Sequence, residues 1–189
     1  FKVEKGHTIL WHAAAGGVGL IACQWAKHLG ATVIGTVGSE EKAKLAREHG
    51  CDHVIDYSKE DVAARVAEIT DGKKLPVVYD GVGKATFISS LDSLAPLGLL
   101  VSFGNASGPI PPVNGGMLSQ KGSLFFTRPT LMTYTATSSD LAASARALFG
   151  AVKKGVKIGV NQRYALKDAK QAHIDLEARK TTGSTVLEV

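Results

Sequence analysis

Three glycines fall within four residues at Gly16-Gly17-Val18-Gly19, in the run His12-Ala13-Ala14-Ala15-Gly16-Gly17-Val18-Gly19. The run separates an apolar, β-branched segment from a helical pattern, so it reads as the turn of a first strand–helix unit. Small residues there let the chain turn sharply, let its backbone approach a ligand, and let the helix lie close on the strand. The form is A-x-G-x-x-G. Its place between strand and helix lifts it above a chance glycine pattern and points to a pyrophosphate loop. Ala14 stands where a first glycine is usual, so the turn has to be made there without positive φ. Gly16 lets the backbone reach phosphates, and Gly19 lets the helix pack. The helix N-terminus then offers N–H groups and a partial positive charge to the anion.

The rest of the chain repeats the same alternation. Residues 7–12, 32–37, 53–56, 76–80, 99–103 and 123–127 read as strands. Residues 18–29, 40–48, 60–69, 84–94 and 138–154 read as helices. In the first helix Val18, Ile21, Ala22, Trp25, Ala26 and Leu29 form one apolar face. Ser39 is an N-cap for the second, and Gly30 and Gly50 are stops. Alternation of this kind predicts an α/β fold, a Rossmann-like doubly wound parallel sheet of about six strands. After Gly155 the texture changes, with strands expected over 164–166 and 185–189 and a helix over 168–179. These residues are too few for a core of their own. The expected division is a dinucleotide-binding domain over 1–158 and a C-terminal segment over 159–189 that packs on something partly outside this chain.

Composition sets the remaining bounds. The chain has 189 residues, 44% hydrophobic and 21% charged, which is ordinary globular texture. It opens at Phe1 without a signal-peptide pattern, and is expected to be an excised piece of a longer, cytoplasmic protein. Its apolar runs are far shorter than the roughly 20 residues that span a bilayer, so no membrane partner is expected. Net charge is +5, but the basic residues are scattered, so nucleic acid is not expected as the main partner. Cys23 and Cys51 are expected to be reduced.

The end of the second strand bears on cofactor choice. A binder of NAD usually places Asp or Glu there to hold the ribose hydroxyls. Here the strand ends Thr36-Val37-Gly38-Ser39, with no acid at the tip and Lys42 in the helical turn beyond. A small, uncharged tip beside a lysine suits a 2′-phosphate, and NADPH is the expected cofactor.

The segments HAAAGGVGLIACQWAKHLGATVIGTVGSEEK, VIDYSKED, VVYDGVG and VSFGNASG together resemble the zinc-free quinone oxidoreductases, zeta-crystallin-like members of the medium-chain dehydrogenase/reductase superfamily. The likeness runs to the ending LEARKTTGSTVLEV. Full-length members also carry an N-terminal GroES-like substrate domain, and the segment after about Asn161 resembles the part that returns to complete it. By this resemblance Ala15, Gly16, Gly17 and Val18 hold the pyrophosphate. Gly38, Lys42 and Tyr57 surround the 2′-phosphate, and Arg179 reaches it from the C-terminal segment. Phe103, Gly104 and Asn105 lie beside the nicotinamide ribose, and Arg128 lies in a loop near the nicotinamide. Gly81 departs from the family, which usually carries a slightly larger side chain there. The implied activity is hydride transfer from NADPH to a quinone or another conjugated carbonyl, by a homodimer. An enal or enoyl reductase of the same superfamily is the alternative, and a non-enzymatic dinucleotide-binding or RNA-binding module is the rival from another class.

Other constellations carry less. His49-Gly50-Cys51-Asp52-His53 gathers metal-type ligands, but at spacings unlike those of structural zinc sites, and no metal site is expected. Asp80 ends a strand at the ligand-binding edge and reads as a cap for the next turn rather than a catalytic acid. His12 reads as structural. No catalytic residue is assigned.

Overall fold

The computed structural model describes all 189 residues. The first six strands are β1 (Thr8–Trp11), β2 (Thr32–Val37), β3 (His53–Asp56), β4 (Leu75–Asp80), β5 (Leu94–Ser102) and β6 (Phe125–Thr127). They form one sheet in the order β3-β2-β1-β4-β5-β6, and every pairing is parallel. The helices between them are α1 (Gly17–His28), α2 (Glu40–Glu48), α3 (Val62–Ile69), α4 (Phe87–Asp92) and α5 (Gly115–Gln120). Then come the short α6 (Leu131–Tyr134) and the long α7 (Ser138–Lys153). This is the doubly wound order of dinucleotide-binding folds. Ligands in such sheets bind outside the strand carboxyl ends where the order reverses, here between β1 and β4.

The sheet is buried on both faces, which explains its near-continuous apolar strands. On one face Ile9, Val33 and Val77 pack with Cys23, Ala26, Ala43 and Ala46. On the other, Leu10, Ile34 and Val78 pack with Val66, Phe87 and Leu91. Ser39 caps α2 by accepting from the Lys42 N–H, and Asp61 caps α3 by accepting from the Ala64 N–H.

Some expected boundaries move for local reasons. The sixth strand begins at Phe125 rather than Ser123, because Ser123 is left-handed at φ 53° and Leu124 donates its N–H to the Leu118 carbonyl instead of a strand. The fifth strand starts at Leu94, which pairs with Leu75. A left-handed Leu97 at φ 62° and a shift of register then separate it from the main run that begins at Leu99. The α4 helix is correspondingly shorter, ending at Asp92.

The first helix corrects the sequence reading of its apolar face. Its buried residues are Gly19, Leu20, Cys23, Gln24 and Ala26. Val18, Ile21, Ala22, Trp25 and Leu29 instead face an open apolar groove of about 650 Å³, with Trp11 and Leu148 among its other walls.

The C-terminal segment forms β7 (Val160–Ala165), α8 (Ala169–Glu177) and β8 (Ser184–Glu188), with the two strands parallel in a sheet of their own. The chain leading into it is anchored on α1. The buried Gln24 donates to the Lys157 carbonyl at 2.9 Å and accepts from the Lys157 N–H at 2.9 Å. No helix is long and apolar enough to cross a membrane.

Candidate functional site

Apart from Lys42 and Arg179, every expected site residue lies just past the carboxyl end of a strand in the large sheet. The loop with Ala15, Gly16, Gly17 and Val18 follows β1. Gly38 follows β2, Tyr57 follows β3, Phe103, Gly104 and Asn105 follow β5, and Arg128 follows β6.

In the loop the left-handed residue is Ala13, at φ 55°. Ala14 keeps ordinary φ, as its lack of a glycine requires, and its methyl is fully buried against β2. Gly35 makes room for it, since a Cβ on Gly35 would lie 2.7 Å from the Ala14 Cβ. A Cβ on Gly19 would lie 2.4 Å from the Ala13 carbonyl oxygen, so the close passage of helix over strand needs glycine. The capping position of α1 is Gly16, which has no side-chain cap, and the first turn carries no acid. Its leading amides are therefore offered to an anion rather than to a side chain. These residues fit a pyrophosphate.

The C-terminal segment completes this wall. Gly183 donates its N–H to the Ala15 carbonyl at 3.0 Å and forms a bridge with Gly16. A Cβ on Gly17 would meet the Gly183 carbonyl at 3.0 Å. Neither contact was legible in the sequence.

Four residues converge at the end of β2. A Cβ on Gly38 would fall 2.5 Å from the Tyr57 hydroxyl, so glycine is what lets that hydroxyl approach the strand tip. Lys42 Nζ donates to the Arg179 carbonyl at 2.5 Å, and Arg179 itself is left-handed at φ 59°. Burial, and then the nearby Arg179 charge, hold the Lys42 ammonium below the usual lysine range, with Glu41 partly opposing. The Lys42 ammonium is thus tied to the Arg179 backbone, with the Arg179 charge near enough to act on it, and an added anion there would relieve that repulsion.

Around the switch point the aromatic rings take over. Trp11 stacks on Tyr79 with centroids 4.9 Å apart, and Phe103 lies 5.3 Å from Trp11. The Phe103 ring also explains Gly81, where a Cβ would fall 2.8 Å from it. Gly104 passes so near Gly81 that a Cβ would meet its carbonyl oxygen at 2.2 Å. The Arg128 guanidinium is tied to β5, donating to the Ser102 carbonyl at 2.8 Å. Apolar, β-branched segments marked Trp11 and Tyr79 as strand residues, and only the strand order makes them neighbours.

Asp80 is fully buried and wholly occupied as a cap. Its Oδ1 accepts from the N–H groups of Val82 at 2.8 Å and Gly83 at 3.0 Å. Its Oδ2 accepts from the hydroxyls of Thr86 at 2.7 Å and Ser90 at 2.8 Å. His12 is also buried. Its Nδ1 lies 3.0 Å from Thr36 Oγ1, and its Nε2 lies 3.0 Å from Ser90 Oγ. Burial pushes the imidazole below the usual histidine range, against the opposing charge of Asp80.

The His49–His53 stretch is dispersed. His49 bonds the Leu45 carbonyl through Nδ1 at 2.8 Å, and Asp52 pairs with Lys27 and accepts from the Val33 N–H. Cys51 is buried beside Cys23, and both are free thiols. The sulfur contact with Cys51, together with burial, raises the Cys23 pKa, which makes it an inert core thiol. No three His, Cys, Asp or Glu side chains are grouped to hold a metal ion.

With this geometry in view, the family model described as zinc-binding dehydrogenase matches residues 17–151, and the chain belongs to that family. It is similar to a quinone oxidoreductase of Pseudomonas aeruginosa, 63% identical over 188 residues, covering 99% of this chain and 58% of that protein. It also superposes on the crystal structure of Escherichia coli quinone oxidoreductase complexed with NADPH. The TM-score is 0.97 and the identity 50%, covering all of this chain and 59% of that one. A 2-haloacrylate reductase of Burkholderia sp is 48% identical over 188 residues, covering 98% of this chain and 56% of that protein. The chain thus spans little more than half the length of these relatives. The resemblance to the quinone oxidoreductases stands, on the relatives' names and on the fold.

Proposed function

We propose that this chain is the NADPH-binding part of an oxidoreductase that reduces a quinone. The observation that carries the cofactor choice is the corner of Gly38, Lys42, Tyr57 and Arg179, where two cations meet at a strand tip that carries no acid. In this reading the amides of Ala15 to Val18 hold the pyrophosphate, and Lys42 and Arg179 hold the 2′-phosphate through charge-assisted hydrogen bonds. Phe103, Gly104 and Asn105 line the nicotinamide ribose. Arg128, pinned to the end of β5, stiffens the loop beside it. NADPH, when bound, supplies the hydride. The chain's own part is to orient the dinucleotide across the β1/β4 crevice, with the stacked Trp11 and Tyr79 beside it.

The test is NADPH oxidation by quinones. The intact protein should oxidise NADPH steadily with a quinone and use NADH poorly. Lys42→Ala should weaken NADPH binding by about tenfold or more and leave NADH nearly unchanged, as loss of a charge-assisted contact to one phosphate requires. Equal affinity of the unmodified protein for both cofactors sinks the assignment. The likeness to a 2-haloacrylate reductase favours a second reading, reduction of an activated alkene. Turnover of a 2-haloacrylate with no turnover of quinones would select it.

We further propose two domains, 1–158 and 159–189, with the second completing its fold on the part of the relatives' length that lies beyond this chain. It is supported by the separate, two-stranded β7–β8 sheet, since a pair of strands alone is marginal. A cytoplasmic setting accords with two free, buried thiols.

A homodimer is proposed from the sheet edge. The β6 strand is the last in the order, and Phe125 is 59% exposed there, with Leu131 at 75% and Met132 at 79% beside it. Such an edge is an open template for pairing, and a two-fold contact uses the same patch twice. Light scattering should give twice the 19.8 kDa chain mass, falling to monomer with Phe125→Lys. A monomer mass for the unmodified protein at tens of micromolar, roughly the range of weak dimers, refutes it.

A further inference from the structure

The buried contacts of Asp80, Ser90, His12 and Thr36 run as one chain from the end of β4 to the phosphate loop, and proton bookkeeping fixes its direction. The Asp80 carboxylate accepts at both oxygens, so Ser90 spends its one hydroxyl proton on Oδ2 at 2.8 Å. Ser90 Oγ, 3.0 Å from His12 Nε2, is then left as an acceptor, and Nε2 must carry the proton. A neutral ring so arranged has a lone pair at Nδ1, which takes the Thr36 hydroxyl proton at 3.0 Å. Thr36 Oγ1 turns its own lone pairs toward the Ala13 N–H, 3.4 Å away. Ala13 is the left-handed residue that opens the loop, and the next amide, Ala14, donates to the Thr36 carbonyl at 3.0 Å.

We infer that His12 is a positioning residue for dinucleotide binding: held as the Nε2–H tautomer by Asp80 through Ser90, it fixes the Thr36 hydroxyl so that Thr36 steadies Ala13 and aims the pyrophosphate loop. This rests on the dinucleotide reading above. The left-handed conformation of a non-glycine residue persists only when its surroundings hold it, and an oriented acceptor at Ala13 N supplies part of that hold. The ring also bridges β1, β2 and α4, which a purely structural role would use equally at both nitrogens. The positioning role uses them unequally, because only Nδ1 faces the loop side.

Two variants separate the roles. In His12→Asn the Oδ1 replaces Nδ1 as the acceptor for Thr36, and the Ser90 contact is lost. In His12→Gln the amide replaces Nε2 as the donor to Ser90, and the acceptor for Thr36 is lost. Both should unfold more easily than the unmodified protein. NADPH affinity measured on the folded protein should stay within about threefold for His12→Asn and fall about tenfold for His12→Gln, one hydrogen bond's worth. Thr36→Val should match His12→Gln, and combining the two should add little. Equal affinities for His12→Asn and His12→Gln overturn the inference. Nitrogen-15 shifts of the His12 ring in the protein without cofactor should show Nε2–H at about pH 7. A proton on Nδ1, or on both nitrogens, also overturns it. Failure of the unmodified protein to bind NADPH would instead overturn the cofactor reading. The ring tautomer, with faster amide exchange at Ala13 in His12→Gln than in His12→Asn, would then decide the inference.

Discussion

Replacing Gly19 by alanine is expected to lower stability by about 3 kcal/mol and to abolish dinucleotide binding. The added Cβ would lie 2.4 Å from the Ala13 carbonyl oxygen and 2.6 Å from that of Ala14. Both are backbone atoms of the phosphate loop itself, so no side chain can swing aside. Either α1 lifts from the sheet, uncovering Cys23 and Ala26, or the loop opens and loses its aim. Gly150→Ala is the control. That glycine lies inside α7, and a Cβ there meets nothing within 4 Å. Removing backbone freedom from a helix interior should raise stability by about 0.5–1 kcal/mol. Urea denaturation of both variants checks the pair. A Gly19→Ala protein as stable as the unmodified one would show that helix and strand do not need their close passage.

The second large effect falls on Asp80. Its carboxylate accepts from two backbone N–H groups and two hydroxyls in a fully buried site. Asp80→Ala leaves the Val82 and Gly83 amides without a partner and removes the anchor of Ser90. The expected loss is about 4 kcal/mol, since stranded buried donors cost about 1–3 kcal/mol each and are not fully additive. Asp80→Asn should lose less, about 2 kcal/mol, because one oxygen still accepts while the amide opposes a donor. A lower denaturation midpoint at unchanged slope would identify a true stability change. A drop of less than about 1 kcal/mol for Asp80→Ala would mean that water replaces the carboxylate.

The fold was largely legible because its signals are local. Strands β2 and β3 and the α2 helix fall on their expected residues, since β-branched runs, Ser39 and Gly50 act within a few positions. The tight glycine turn between β1 and α1 was legible for the same reason. What the sequence hid depends on neighbours far along the chain. The apolar stripe of α1 suggested its core face, yet small residues such as Gly19, Cys23 and Ala26 face the sheet, because a helix lying this close leaves no space for Trp25 or Ile21. The α5 helix starts inside a Gly/Pro-rich stretch, and its cue is the Asn114 cap rather than any apolar period. Within the site, composition at the β2 tip indicated Lys42. The approach of Arg179 to it came only from the family resemblance, and that of Gly183 to Gly16 from nothing in the sequence, since each joins positions over a hundred residues apart. The Asp80–Ser90–His12–Thr36 chain was invisible for the same reason. Asp80 was read as a cap and is one, but its second oxygen governs, through Ser90, a histidine just past another strand.

The clasp between Gly183 and the phosphate loop has a consequence for how the protein is made. Synthesis runs from β1 toward β8, so the large sheet, the loop and Lys42 leave the ribosome before Arg179 and Gly183 do. A nascent chain therefore holds a folded sheet whose glycine turn after β1 and Lys42 corner both lack a side. Domains fold as they emerge, and this one completes its turn and its β2 tip only once β7 and α8 have followed and brought Gly183 to Ala15 and Gly16, and Arg179 to Lys42 on α2. Under the proposed function, full dinucleotide binding then waits for a late stage of translation.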